Sequence, residues 1–89
     1  MNNKISIILS TYNEAYIIDQ TVKAILNKVN NVEIVLVDDN STDGTFEKIN
    51  NLNNPNIKLF SRTSRGLASA FLLGLINTEG DVIGWFDSN

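Results

Sequence analysis

Four short apolar runs recur along the chain, each closed by polar residues and separated by stretches of different periodicity. The first, Ile5, Ile7, Ile8 and Leu9, lies between Lys4 and Ser10. It is short and β-branched, which suits a strand buried on both faces of a parallel sheet. Val32 to Val37, Ile57 to Phe60 and Val82 to Phe86 repeat the pattern. After the first run comes a polar turn, Thr11 to Glu14, in which Asn13 is a candidate helix N-cap. Ile18, Val22, Ile25 and Val29 then recur at helical spacing and predict a helix over Ala15 to Val29, ended by Asn30 and Asn31. Asn40 to Thr45 supplies further caps, and Phe46, Ile49 and Leu52 mark a second helix. Pro55, in the loop from Asn50 to Asn56, cannot continue it. Gly66 to Asn77 predicts a third helix, with Leu67, Phe71 and Leu75 on one face. Ala68, Ala70 and Gly74 are small enough for close approach to a sheet, and Gly80 breaks the chain before the last strand.

The order is βαβαβαβ. It predicts an α/β fold, a Rossmann-like parallel sheet with helices on both faces. Right-handed crossovers favour the strand order 3-2-1-4, half of a doubly wound sheet. No internal repeat is present. The fourth strand would be an uncovered edge, so self-association through it is expected. Because the chain stops where that strand does, residues 1–89 are expected to be the front part of something larger, or a pared-down relative of it.

Composition narrows the chemistry. The 89 residues suffice for one small domain, and 43% hydrophobic content is that of a globular fold. A domain of this size buries roughly 60–65% of its surface, so its stability is expected to be marginal. The net charge is −3 and the seven Lys and Arg residues are scattered, which argues against a nucleic-acid partner. Without cysteine there is no disulfide framework or thiolate site, and without histidine no zinc site or His-based triad. Catalysis would have to use carboxylates, hydroxyls, amides, Arg, Lys or a metal held by oxygens. No run of about 18 apolar residues exists, and the N-terminus lacks a small-residue cleavage site. The expected location is cytoplasmic, or the cytoplasmic face of a membrane for a full-length protein.

Four polar motifs follow the strands. Ser10-Thr11-Tyr12-Asn13-Glu14 follows the first. It reads as a base-binding edge, with Tyr12 as a platform and Glu14 reaching the ligand, or as a helix cap in which Glu14 favours the helix N-terminus. Asp38-Asp39 follows the second. Two adjacent carboxylates repel and are costly to bury unpaired, so they suit a ribose hydroxyl or a base N–H; the plainer reading is a strand-end acid plus a cap. Arg65-Gly66 opens the third helix, where an anion is favoured; an isolated Arg there is equally a solvated loop residue. Asp87-Ser88-Asn89 follows the fourth strand. Oxygen donors at i and i+2 suit one Mg²⁺ or Mn²⁺ on a diphosphate, or make an ordinary loop. All four fall on the carboxyl edge of the predicted sheet, where open α/β folds bind ligands. Together they describe a nucleoside-diphosphate site.

The runs Ile7 to Glu14 and Val37-Asp38-Asp39-Asn40-Ser41-Thr42-Asp43-Gly44-Thr45 resemble family 2 inverting glycosyltransferases of the GT-A fold. Arg65-Gly66-Leu67-Ala68, Gly74, Gly80-Asp81 and Asp87-Ser88-Asn89 are similar to the branch of dolichol-phosphate or polyprenyl-phosphate mannosyl- and glucosyltransferases. The resemblance covers essentially the whole chain and implies a partial GT-A fold, with residues 1–89 as the nucleotide-sugar-binding half. It implies that Ser10 and Asp39 contact base and ribose, that Tyr12 and Glu14 line the same pocket, and that Asp87 and Asn89 hold the metal. It implies transfer of a hexose from a GDP- or UDP-sugar to a polyprenyl phosphate or saccharide acceptor. Ser10 stands where many members have Pro, and Asn89 where an Asp is expected, so the resemblance implies weaker metal affinity. The family's acceptor half and catalytic base lie beyond these motifs, so the 89 residues alone are expected to be inactive. The alternative is a non-enzymatic minimal module that binds nucleotide weakly or not at all. A phospho-receiver is disfavoured because the first strand ends in Ser10 and the third in Ser61-Arg62, and a dinucleotide oxidoreductase because no G-x-G-x-x-G follows the first strand.

Overall fold

The computed structural model describes residues 4–61 and 74–87, and for Val82, Ile83, Trp85, Phe86 and Asp87 it describes the backbone alone. The elements run β1 (Ile5–Thr11), α1 (Ile18–Lys28), β2 (Val32–Asp38), α2 (Thr45–Asn50), β3 (Ile57–Ser61) and β4 (Asp81–Asp87). The strands form one sheet in the order β3-β2-β1-β4, and every pairing is parallel. The α/β reading of the sequence is thus observed. Of the third predicted helix, Gly74 and Leu75 are helical; residues 66–73 lie outside the described residues.

All seven residues of β2 are buried, as befits a strand with a neighbour on each side. One face holds the main core: Leu9, Ile34 and Leu36 from the sheet pack with Ile18 and Val22 of α1 and Ile49 of α2. Ile57 and Leu59 of β3 extend it. On the opposite face Ile8, Val35 and Val37 are fully buried. Gly74 meets that face, and a Cβ on it would overlap Ile8 Cγ2.

Two local expectations need correction. Helix α1 starts at Ile18, three residues later than the periodicity suggests, because the Glu14 carbonyl accepts both the Ile17 and Ile18 N–H groups and closes a turn first. Asn13 does not cap it. The residue preceding the helix is Ile17, which makes no side-chain cap, and Asn13 adopts φ 50° with its side chain committed to the loop after β2.

Candidate functional site

The register of the sheet lines up its carboxyl edge. Thr11 lies opposite Asp38, Asp38 opposite Ser61, and Ser10 opposite Asp87. One further backbone bond, Asp39 N–H to the Thr11 carbonyl at 2.9 Å, carries the β1–β2 pairing past the last strand residue. Ser10 and Asp39, both buried, and half-buried Tyr12 therefore share the rim formed by β1 and β2.

The two carboxylates differ in what they do. Asp38 is 1% exposed, and its oxygens accept the Ser41 N–H at 3.0 Å and the Ser41 hydroxyl at 2.5 Å. It holds a turn in which Asn40 takes the left-handed conformation, φ 60°. Asp39, one residue on, begins the loop at the edge itself. Glu14 is also turned inward: buried, it accepts the Thr11 hydroxyl at 3.1 Å and approaches the Tyr12 N–H at 3.4 Å. It lies beneath the Tyr12 loop, bracing it.

The small polar residues after Asp39 fasten the two loops to each other. Ser41 Oγ accepts the Asn13 N–H at 2.9 Å, and Asn13 Oδ1 accepts the Thr42 N–H at 2.7 Å. Thr45 Oγ1 accepts the Glu14 N–H at 2.9 Å while donating to Asp43. Asp43 also accepts the Ala15 N–H at 3.0 Å and the Thr45 N–H at 3.1 Å. The Thr45 hydroxyl and these amides hold the Asp43 carboxyl below the usual range. Lys48 Nζ closes the set on the Ala15 carbonyl at 2.6 Å. Ser41, Asp43 and Thr45 are cap candidates within the run that carries the family resemblance, and the sequence gives none of them an individual role in joining the two loops. The available signal is their spacing, with alternate residues of Ser41-Thr42-Asp43-Gly44-Thr45 bearing an oxygen acceptor. A shallow cleft beside this edge is lined by Asp38, Asn40, Ser41, Phe46, Glu47 and Ser61.

Arg65 and Asn89 lie outside the described residues, and Asp87 is located by its backbone, opposite Ser10. Among the described residues no three acidic, histidine or cysteine side chains cluster as a metal site.

With this geometry in hand, the family profile described as glycosyl transferase family 2 matches residues 6–88. The chain belongs to that family. An uncharacterized glycosyltransferase of Haemophilus influenzae is 39% identical over 96% of this chain and 36% of its own length. The dolichol-phosphate mannosyltransferase of Pyrococcus furiosus is 38% identical over 97% of this chain and 26% of its own. Among solved structures, a mannosyltransferase from Pyrobaculum calidifontis in complex with GDP-Man and Mn²⁺ superposes with a TM-score of 0.80 at 30% identity, covering 92% of this chain and 26% of that one. Glucosyl-3-phosphoglycerate synthase from Mycobacterium tuberculosis, with Mn²⁺ and UDP, gives 0.77 at 25% identity, covering 99% and 34%. These neighbours are GT-A glycosyltransferases, so the family 2 chain has the Rossmann-like part of the GT-A fold. It spans about a quarter to a third of the length of these relatives. Among its described residues no helix is long and apolar enough to cross a membrane.

Proposed function

We propose that this chain is the donor-binding part of an inverting hexosyltransferase that uses a GDP- or UDP-sugar. The observation that carries the reading is the rim of Ser10, Tyr12 and Asp39, whose two loops are fixed to each other by side chains before any ligand arrives. Tyr12 offers an aromatic face to a base and Asp39 a carboxylate to a base N–H or ribose hydroxyl. Asp38 and Glu14 support these positions from beneath. GDP-Man and UDP in complexes of relatives with the same fold favour this class of ligand.

The diphosphate belongs, on this reading, toward Arg65 and the end of β4. Asp87 and Asn89 offer a carboxylate and an amide oxygen, hard donors of the kind Mg²⁺ and Mn²⁺ take. Such a cation uses one or two carboxylates and completes its shell with phosphates and water. When bound, it supplies Lewis-acid neutralisation of the leaving diphosphate. In the whole protein, an acceptor oxygen (of a polyprenyl phosphate or a saccharide) would displace the nucleoside diphosphate at the anomeric carbon.

A saccharide hydroxyl would need a base, which the described rim residues do not offer, whereas the oxygen of a polyprenyl phosphate is already ionised. Residues 1–89 contain no histidine; Asp38 and Glu14 are held within the loops, and Asp39 faces the nucleoside in this scheme. The purified chain should bind donor and transfer little or no sugar. Calorimetric titration with UDP, GDP, UDP-glucose and GDP-mannose, with and without Mn²⁺, tests the proposal. Binding of one nucleotide, lost in Asp39→Ala, is expected. Absence of binding by a folded sample would mean that the site needs the acceptor half of the whole protein, or that the chain is a non-enzymatic module.

A further inference from the structure

Among the described residues, the most elaborately held charge lies at the opposite edge of the sheet from the site. Glu33, on β2, is 1% exposed in an otherwise apolar run. A carboxylate there is costly unless paired and hydrogen-bonded. Its Oε2 accepts the Ser6 hydroxyl of β1 and the backbone N–H groups of Glu79, at 2.5 Å, and Gly80, at 3.2 Å. Its Oε1 lies 3.2 Å from Lys58 Nζ on β3. Lys58 also donates to the Asn77 carbonyl at 3.1 Å and to the Glu79 carboxylate. Ser6 Oγ accepts the Gly80 N–H at 3.0 Å, and the Asp81 N–H reaches the Lys4 carbonyl at 2.9 Å. Gly80 has no room for a Cβ, which would overlap the Lys4 carbonyl oxygen. The residues leading into β4 are thereby tied to β1, β2 and β3 together.

This fastening bears on register. Among the described residues β4 is an edge strand, paired with β1 alone. Their ladder changes register partway: Ser6 lies opposite Val82 but Ile7 opposite Gly84, leaving Ile83 as a bulge. The bulge breaks the ladder at Ile83, so few pairs on its N-terminal side hold the strand unaided, and a one-residue slip turns every side chain to the other face. Beyond the bulge Asp87 lies opposite Ser10; a slip would bring Phe86 or Ser88 there instead. We infer that Glu33 is a positioning residue for the carboxyl end of β4. Through Glu79 and Gly80 it holds the strand against slippage and keeps Asp87 beside Ser10. The consequence for a metal rests on the proposed role of Asp87; the consequence for register does not.

The test uses the isotope-labelled 89-residue chain. Register is read from backbone NOEs between β1 and β4 around Ser10 and Asp87. Glu33→Leu is expected to lose the Ser10–Asp87 contact or to double the Asp87 amide signal. Glu33→Gln keeps an acceptor oxygen for Glu79 and Gly80 and should restore the parent register. Gly80→Ala breaks the same anchor from the other side and should reproduce the loss if Glu33→Leu does not fold. Mn²⁺ affinity in the presence of UDP or GDP, read by water-proton relaxation, should fall severalfold in Glu33→Leu, because a slipped strand no longer presents Asp87 beside Ser10. Metal-free nucleotide affinity should be unchanged, a split that general destabilisation does not produce. A folded Glu33→Leu or Gly80→Ala chain with the Ser10–Asp87 contact intact overturns the inference. A shifted register with unchanged Mn²⁺ affinity overturns its link to the metal. A parent chain with no Mn²⁺ effect overturns the metal role of Asp87 instead, and the NOEs still decide the register.

Discussion

Replacing Glu33 by Gln should flatten the acid limb of the chain's stability. Burial pushes the Glu33 carboxyl up, but the hydrogen bonds from Ser6 and the Glu79 amide, with Lys58 alongside, outweigh it and bring it from 4.5 down to about 2. A carboxyl that is more acidic in the folded chain than in the unfolded one stabilises the fold wherever both forms are ionised, above about pH 5. As pH falls, the unfolded chain takes up the proton first, so the contribution shrinks and is gone below about pH 2. At about 1.4 kcal/mol per pH unit, the interval from 4.5 to about 2 corresponds to roughly 3 kcal/mol at neutral pH. About 2 kcal/mol of that is lost by pH 3. For a domain whose total stability is roughly 5–10 kcal/mol, this is a large share. Urea unfolding at several pH values between 7 and 3 measures it, provided the slope with urea stays constant. The parent should lose about 2 kcal/mol more than Glu33→Gln over that range. Glu33→Gln should itself be about 1–3 kcal/mol less stable at pH 7, since its amide cannot pair with Lys58. Parallel declines in the two proteins would refute the reasoning and return Glu33 to an ordinary carboxylate.

Three further outcomes follow from the carboxyl edge. Thr45→Val keeps the shape but strips the acceptor from the Glu14 N–H, and should cost about 1–3 kcal/mol in urea unfolding while weakening nucleotide binding by calorimetry. Asp38→Ala should lower stability because the Ser41 amide and hydroxyl lose their acceptor, and Asp39→Ala should lower nucleotide affinity by calorimetry; undiminished affinity in a folded Asp39→Ala chain would refute the role proposed for it. Gly44 has φ 92° with open space where a Cβ would go, so Gly44→Ala should cost about 1 kcal/mol from backbone conformation alone, visible as a shifted midpoint at unchanged slope.

The sheet was legible because each apolar run is short, β-branched and stopped by polar residues; those properties are local. Ser10, Asp38, Asp39 and Asp87 could be assigned to one edge for the same reason, since strand ends fix where residues fall. What the individual side chains do there was less legible. Asn13 has the chemistry of a helix cap, but a partner 29 residues away, the Thr42 amide, takes its oxygen. Asp38 and Asp39 are indistinguishable as letters; they part because the turn at Asn40 brings Ser41 back onto the first of them. Glu33 reads as a polar interruption of a strand. Its partners lie at Ser6, Lys58, Glu79 and Gly80, and no pattern within a window of residues reveals such a convergence.

The two loops on the rim are joined by short side chains, mostly hydroxyls and carboxylates meeting backbone amides. The ordering entropy of these loops is therefore met during folding and not at the moment of association. On the proposed function, a ligand arriving at this rim would meet two loops already joined to each other. Its affinity then depends on the few groups it touches, and its heat-capacity change reflects the area covered without a coupled folding contribution. Exchange of one ligand for another at such a rim requires no loop to melt, so turnover of bound molecules is limited by the contacts themselves.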